Sequence, residues 1–408
     1  MKTYKLAILL LIVAFPLNFN SEIKVSSTNG VSNYSINQSI TYQLDINFTF
    51  THTRLSPQSY YFKVARLNNR RPNSSITQFT PPYQEAQLLY NSITGSDFLI
   101  TGSHDKFNNT YDLFNATLSN SDTIEMSQKY IIKLNEVAFG DITDTDIGSY
   151  DTSDEMFNLY CNNTELYYEI NDPDLITASN SIVNPSDNPL EKARKICENV
   201  SNYLVYNGAL PAEEKGASWA FDNKEGDCSE YSALTITLLR IQGIPARKVT
   251  GFLITTASQF NPSVGEVFTF TAASDGSSSL LGHAWIEYYI PEIGWIACEP
   301  QTASSYKKID DRRFNLNIGA WFFIPGASPG HDYASEFPHI PSPVASDHDA
   351  YTFNYEIKVT VLETDSIFTE LIVIVVVGSI VGLVIVFVTL LIRSNRKKRK
   401  QHQQFSSY

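Results

Sequence analysis

A run of 22 uncharged residues, Leu371 to Ile392, most constrains the topology open to this chain. At about 1.5 Å per residue, such a helix spans the roughly 30 Å hydrocarbon core of a bilayer. The sixteen residues that follow contain Arg393, Arg396, Lys397, Lys398, Arg399 and Lys400 and no acid. Cationic flanks stay on the cytoplasmic side, so the run reads as one transmembrane helix (371–392) followed by a basic cytoplasmic tail (393–408). Residues 1–20 begin with Lys2 and Lys5 and turn apolar from Leu6 to Phe15, the pattern of a secretory signal peptide. No A-x-A pattern precedes Ser21, which leaves an uncleaved signal anchor as the alternative. On either reading the bulk of the chain is expected outside the cell membrane. Gly378 and Gly382 have the spacing through which two such helices pack as a homodimer.

The formal net charge is −13, and without the six tail cations the rest of the chain carries −19. So acidic a body repels phosphate backbones, which argues against a nucleic-acid partner. Asn33, Asn37, Asn47, Asn73, Asn108, Asn115, Asn162 and Asn199 each begin an N-x-S/T sequon, which fits an outward-facing glycoprotein. Six of these eight precede residue 120, so the first domain is expected to be the more sugar-coated one.

Short β-forming stretches such as Tyr42–Phe50 and Tyr60–Ala65, separated by Asn, Pro, Ser and Gly turns, predict an N-terminal β-sandwich over 21–140. His52 and His104 stand alone there, as core or surface histidines do. Residues 141–184 read as a connector in which Asp141, Asp144, Asp146, Asp151 and Asp154 crowd together. Their spacing does not match an EF-hand loop, so a solvated linker is preferred to a calcium site.

A helix is expected from residue 188, with Asn188 as cap, Pro189 in the first turn and Glu191 three residues after the cap. Leu190, Ala193, Ile196, Val200 and Leu204 give it one apolar face. A second helix begins at Cys228 behind Asp227 and ends at Gly243 and Pro245, with Tyr231, Leu234, Leu238 and Ile241 as its stripe. Strands are predicted over 248–255, 282–290 and 295–299, and a long loop over 257–279. A C-terminal β extension (306–366) ends in a strand over 351–362.

Cys228 sits where a loop turns into a helix, so backbone N–H groups and the positive end of the dipole face its sulfur. Such a setting favours the thiolate form of a cysteine, and the same amides can hold an oxyanion. A thiol nucleophile needs a base that later protonates the leaving amine, and His283, at the start of an aromatic-rich strand, suits both tasks. Glu299, across a hairpin turn, is placed to meet the far nitrogen of that imidazole and fix its tautomer.

Residues Gly226–Leu234 and Leu238–Gly251 resemble the nucleophile helix and following strand of the transglutaminase-like superfamily. His283-Ala-Trp-Ile-Glu287 and Gly294–Pro300 resemble its histidine and acid motifs. The resemblance covers about 185–305 and implies an α+β fold with a papain-like transglutaminase core, preceded by the β-sandwich domain. It implies a Cys–His–acid triad of Cys228, His283 and Glu299, with glutamate where the family usually has aspartate. Trp219, Arg247 and Trp285 read as packing and salt-bridge residues, and Cys298 as a buried thiol on the strand face opposite Glu299. With Cys228 kept free for chemistry, Cys161–Cys197 is the expected disulfide.

These readings make the chain a cysteine-dependent enzyme acting on protein or peptide amides through a Cys228 thioester. Hydrolysis by a peptidase or amidase is favoured over cross-linking to a lysine amine. A catalytically silent adhesion or scaffold module is the rival from another class. No cofactor or metal is called for by either.

Overall fold

The computed structural model describes residues 34–67, 80–105, 107–161, 167–210, 214–257, 259–319, 322–328, 331–335, 342–344, 350–366 and 384–390. The signal segment 1–20, most of the apolar run 371–392, Gly378, Gly382 and the basic tail lie outside these residues. Within the run, 384–390 is helical. No helix among the described residues is long and apolar enough to cross a membrane.

The N-terminal half is strand-rich. Strand β1 (Tyr34–His52) is followed by β2 (Gln58–Ala65), β3 (Gln84–Thr94), β4 (Phe98–His104), β5 (Thr110–Leu118) and β6 (Thr123–Phe139). Along β1, Ile40, Tyr42, Leu44, Ile46, Phe48 and Phe50 are all buried, the every-second-residue pattern of a strand with one face in a core. Those side chains meet Tyr60 and Phe62 of β2, Phe114 of β5, and Met126 and Tyr130 of β6 in one apolar cluster between two sheets. His52 is a satisfied core histidine, its ring nitrogens 2.7 Å from the Tyr60 hydroxyl and 2.9 Å from the Ser56 carbonyl.

The sandwich is completed from the far end of the chain. Strand β18 (Tyr351–Ser366) pairs antiparallel with β1 from His52↔Tyr351 to Gln38↔Ser366. Val267–Ala273, within the segment expected to be a long loop, forms β10 and pairs with β18. The expected units 21–140, 257–279 and 306–366 therefore share one six-stranded sheet rather than following one another. The cause is burial: Tyr355, Ile357, Val359 and Val361 join the same cluster as β1.

The second half packs helices on an antiparallel sheet. Helix α1 (Glu155–Tyr160) and helix α2 (Pro173–Ile182) occupy the stretch read as a connector. The acidic residues there serve local turns and caps: Asp154 accepts from Met156 N–H, Asp151 from Ser153, and Asp146 from Thr143. Helix α3 (Pro189–Tyr203) starts as its sequence predicts, the Asn188 side chain accepting from Glu191 N–H at 2.8 Å. Helix α4 (Ala217–Asn223) leads into α5 (Cys228–Ile241), which is buried continuously from Glu230 to Arg240. An ordinary surface helix buries one stripe, whereas α5 is enclosed on all sides as the centre of the domain.

Strands β9 (Ala246–Leu253), β11 (Leu281–Ile290), β12 (Gly294–Cys298) and β14 (Arg313–Ile318) form the sheet beneath α5, in the order β12-β11-β9-β14. A Cβ on Gly251 would lie 1.6 Å from the Phe314 carbonyl oxygen, so only glycine lets β9 and β14 approach this closely.

The expected Cys161–Cys197 disulfide is not formed, and all four cysteines are free thiols. The Cys161 thiol donates to the Arg240 carbonyl at 3.7 Å, while the Cys197 and Cys298 sulfurs lie 3.3 Å apart in the core. Helix α3 carries Cys197 onto the end of β12, and Cys161, beyond α1, faces α5 instead. That placement could not be deduced from sequence spacing.

Candidate active site

The N-terminus of α5 is built before the nucleophile is placed. Asp227 caps it by accepting from Ser229 N–H at 2.7 Å, and Glu230 reaches back to accept from Asp227 N–H at 3.0 Å. This capping box ties down the turn that carries Cys228. A Cβ on Gly226 would lie 2.4 Å from the Glu230 Cβ, so the buried Glu230 requires a glycine there. Burial pushes the Asp227 carboxyl up to about 6, and the neighbouring Glu230 adds to the rise. Cys228 itself is half-buried and therefore open to solvent on one side.

His283 lies near the start of β11, directly opposite Gly251 of β9. Its Nε2 is 2.6 Å from Glu299 Oε2, and the Cys228 side chain lies near enough to raise the ring's proton affinity. With Nε2 directed at the carboxylate, Nδ1 is the nitrogen left for the thiol. Burial alone would lower the imidazole's proton affinity. The Glu299 charge, the Cys228 side chain and the hydrogen bond to Glu299 outweigh burial and raise the pKa to about 9, with Arg313 opposing them. Glu299 follows β12 by one residue. Burial would raise its pKa, but His283 and then Arg313 hold it down at about 2. At neutral pH the pair is therefore imidazolium and carboxylate.

The structure thus brings Cys228, His283 and Glu299 together, although they are spread over 72 residues of sequence. Trp219 packs partly buried against the core. Trp285 does more than pack: its ring stacks on His283 with centroids 6.0 Å apart and 23° between planes. Arg247 forms the expected ion pair, with Glu287 at 2.6 Å, and lies 3.7 Å over the Trp295 ring. Cys298 is fully buried, with its sulfur against that of Cys197.

Sequence reasoning missed Arg313. It donates to Glu299 Oε2 at 2.7 Å and to Asp310 Oδ2 at 2.6 Å. The signal was the run Asp310-Asp-Arg-Arg313 just before an apolar strand, but it lies past the last matching motif. No group of three or more His, Cys, Asp or Glu side chains able to hold a metal ion occurs among the described residues.

Residues 176–300 match the family model of the transglutaminase-like superfamily. Over 120 residues the chain is 28% identical to the uncharacterized protein YebA of Bacillus subtilis, covering 28% of this chain and 15% of that protein. Over 90 residues it is 30% identical to a protein-glutamine gamma-glutamyltransferase of Pseudomonas aeruginosa, covering 22% of this chain and 12% of that one. The matched stretch is thus less than a sixth of either relative's length. Among solved structures, a proposed cysteine protease from Cytophaga hutchinsonii aligns at a TM-score of 0.46 and 15% identity, over 82% of this chain and 93% of that one.

Proposed function

We propose that this chain is a cell-surface enzyme that transfers acyl groups from protein or peptide amides through a thioester on Cys228. The observation that carries this reading is the His283 imidazole, whose Nε2 lies 2.6 Å from the Glu299 carboxylate and whose proton affinity is raised by the Cys228 side chain at the start of α5 as well as by that carboxylate. The Cys228 sulfur attacks the amide carbonyl, and the positive end of the α5 dipole favours the oxygen as negative charge builds on it. The tetrahedral intermediate collapses as the C–N bond breaks, and the His283 imidazolium gives its proton to the leaving amine. The neutral imidazole then takes a proton from the acceptor, which attacks the thioester and frees the thiol. Glu299 keeps the ring in the required tautomer throughout.

Water as acceptor gives hydrolysis, which is the reading favoured here. A lysine amine gives a cross-link, and the gamma-glutamyltransferase among the relatives keeps that outcome second. The charge-free run 371–392 and its basic flank support a single-pass anchor with the enzyme outside and the tail in the cytoplasm. Exposed sequon residues Asn47 and Asn199 fit that address.

The reading predicts a covalent acyl adduct on Cys228 when the chain meets an activated ester such as p-nitrophenyl acetate, detected by intact mass. The adduct should decay mainly to acetate, with only a minor amide product in the presence of a lysine-like amine. No adduct, or one that persists in Cys228→Ala, would count against the enzyme and towards a silent module.

A further inference from the structure

We propose that Arg313 is a positioning residue for this reaction: it fixes the Glu299 carboxylate against His283. The inference rests on the acyl-transfer reading above. Three observations carry it.

The first is geometric. One tine of the guanidinium, Nη1, meets Glu299 Oε2 at 2.7 Å, the same oxygen that lies 2.6 Å from His283 Nε2. The other edge is fixed by Asp310, which accepts from Nε at 3.1 Å and from Nη2 at 2.6 Å. A two-point fork of this kind sets the plane of the guanidinium, which a single ammonium cannot do. Asp310 is in turn held by Arg312 Nη2 at 2.7 Å.

The second is the stack. The Arg313 guanidinium lies 5.3 Å over the Trp285 ring, and Trp285 stacks on His283. Arg313 and His283 thus pack against the same indole as well as meeting the same carboxylate oxygen.

The third is the acid itself. Glutamate has one more rotatable bond than the family's usual aspartate, and that freedom must be restrained for the carboxylate to stay on the imidazole. Arg313 supplies the restraint from β14, which Gly251 lets approach β9 closely enough.

The charged groups facing the imidazole are Glu299 from the end of β12, Arg313 from β14 and the Cys228 thiol from α5, with Asp310 and Arg312 behind them. Glu299 favours the imidazolium and Arg313 disfavours it. Removing the cation while the fold holds should therefore move the imidazole's titration upward. A merely structural loss would expose the ring and move it down towards an ordinary histidine.

The test uses the full chain labelled with 15N-histidine, whose seven histidines are few enough to assign, with His283→Ala identifying the signal. His283 titration and the rate of Cys228 acylation by p-nitrophenyl acetate are compared among wild type, Arg313→Met and Arg313→Lys. Arg313→Met should raise the titration midpoint and slow acylation by about ten- to a hundredfold, the size typical of losing a partner that orients a functional group. Arg313→Lys should keep the midpoint near the wild-type value yet still acylate more slowly, because it keeps the charge and loses the fork. If Arg313→Met fails to fold, slower acylation by Arg313→Lys at an unchanged midpoint supports the inference. Wild-type acylation in both variants, or a midpoint that falls, overturns it. An inert Cys228 in the wild type overturns instead the enzymatic reading on which it rests.

Discussion

Replacing His283 with alanine should slow acylation of Cys228 by roughly a thousand- to ten-thousandfold near neutral pH, the upper range for loss of a general acid–base group. The imidazole meets the acid at 2.6 Å and has its proton affinity raised by the thiol as well, so it is the group placed to move a proton for Cys228. Residues that act as a unit lose activity together, and Cys228→Ala combined with His283→Ala should be scarcely worse than Cys228→Ala alone. The pH profile follows from the same pair. The imidazolium is the proton donor, and its pKa is raised to about 9, so the donor is fully present below that pH and lost above it. Turnover of amide donors by the wild type should accordingly fall on an alkaline limb near pH 9. Stopped-flow acylation and steady-state turnover across pH test both statements.

The second large effect concerns stability. Arg247 and Glu287 pair across β9 and β11 with 0% and 2% of their side chains exposed. Arg247→Met should destabilise the domain by about 3–5 kcal/mol, because it leaves a buried carboxylate without its partner. The Arg247→Met, Glu287→Leu double variant should regain most of that, since a buried ion pair contributes little beyond an apolar pair of similar volume. Urea unfolding of the three proteins decides the matter. A single variant as stable as wild type would mean that Glu287 finds other compensation.

Local signals served the helix-rich second half of the chain well. Asn188, Pro189 and Glu191 marked the start of α3, and Asp227 marked that of α5, because caps act within three residues of sequence. The alternation in β1 was equally plain, since a strand between two sheets buries every second side chain. The partners of those strands were not legible. That β18 lies on β1, and β10 on β18, depends on contacts between residues 81 to 328 positions apart. The thiols show the same limit: α3 delivers Cys197 to Cys298, a choice made by packing. At the site, Cys228, His283 and Glu299 each sit in a motif with its own local logic. Arg313 does not. Its role depends on Gly251 admitting β14 beside β9, and neither residue announces the other.

The most direct test of the central claim, that Cys228 and His283 form a reactive pair, is alkylation of the purified protein by iodoacetamide across pH. Adducts are mapped by mass in wild type, Cys228→Ala and His283→Ala. Because the raised imidazole stays protonated through neutrality, the account predicts rapid, selective labelling of Cys228 below about pH 7, where an unassisted thiol reacts slowly. It also predicts that this labelling weakens sharply in His283→Ala. Labelling of Cys228 no faster than that of a free thiol, or unchanged by loss of His283, would contradict it.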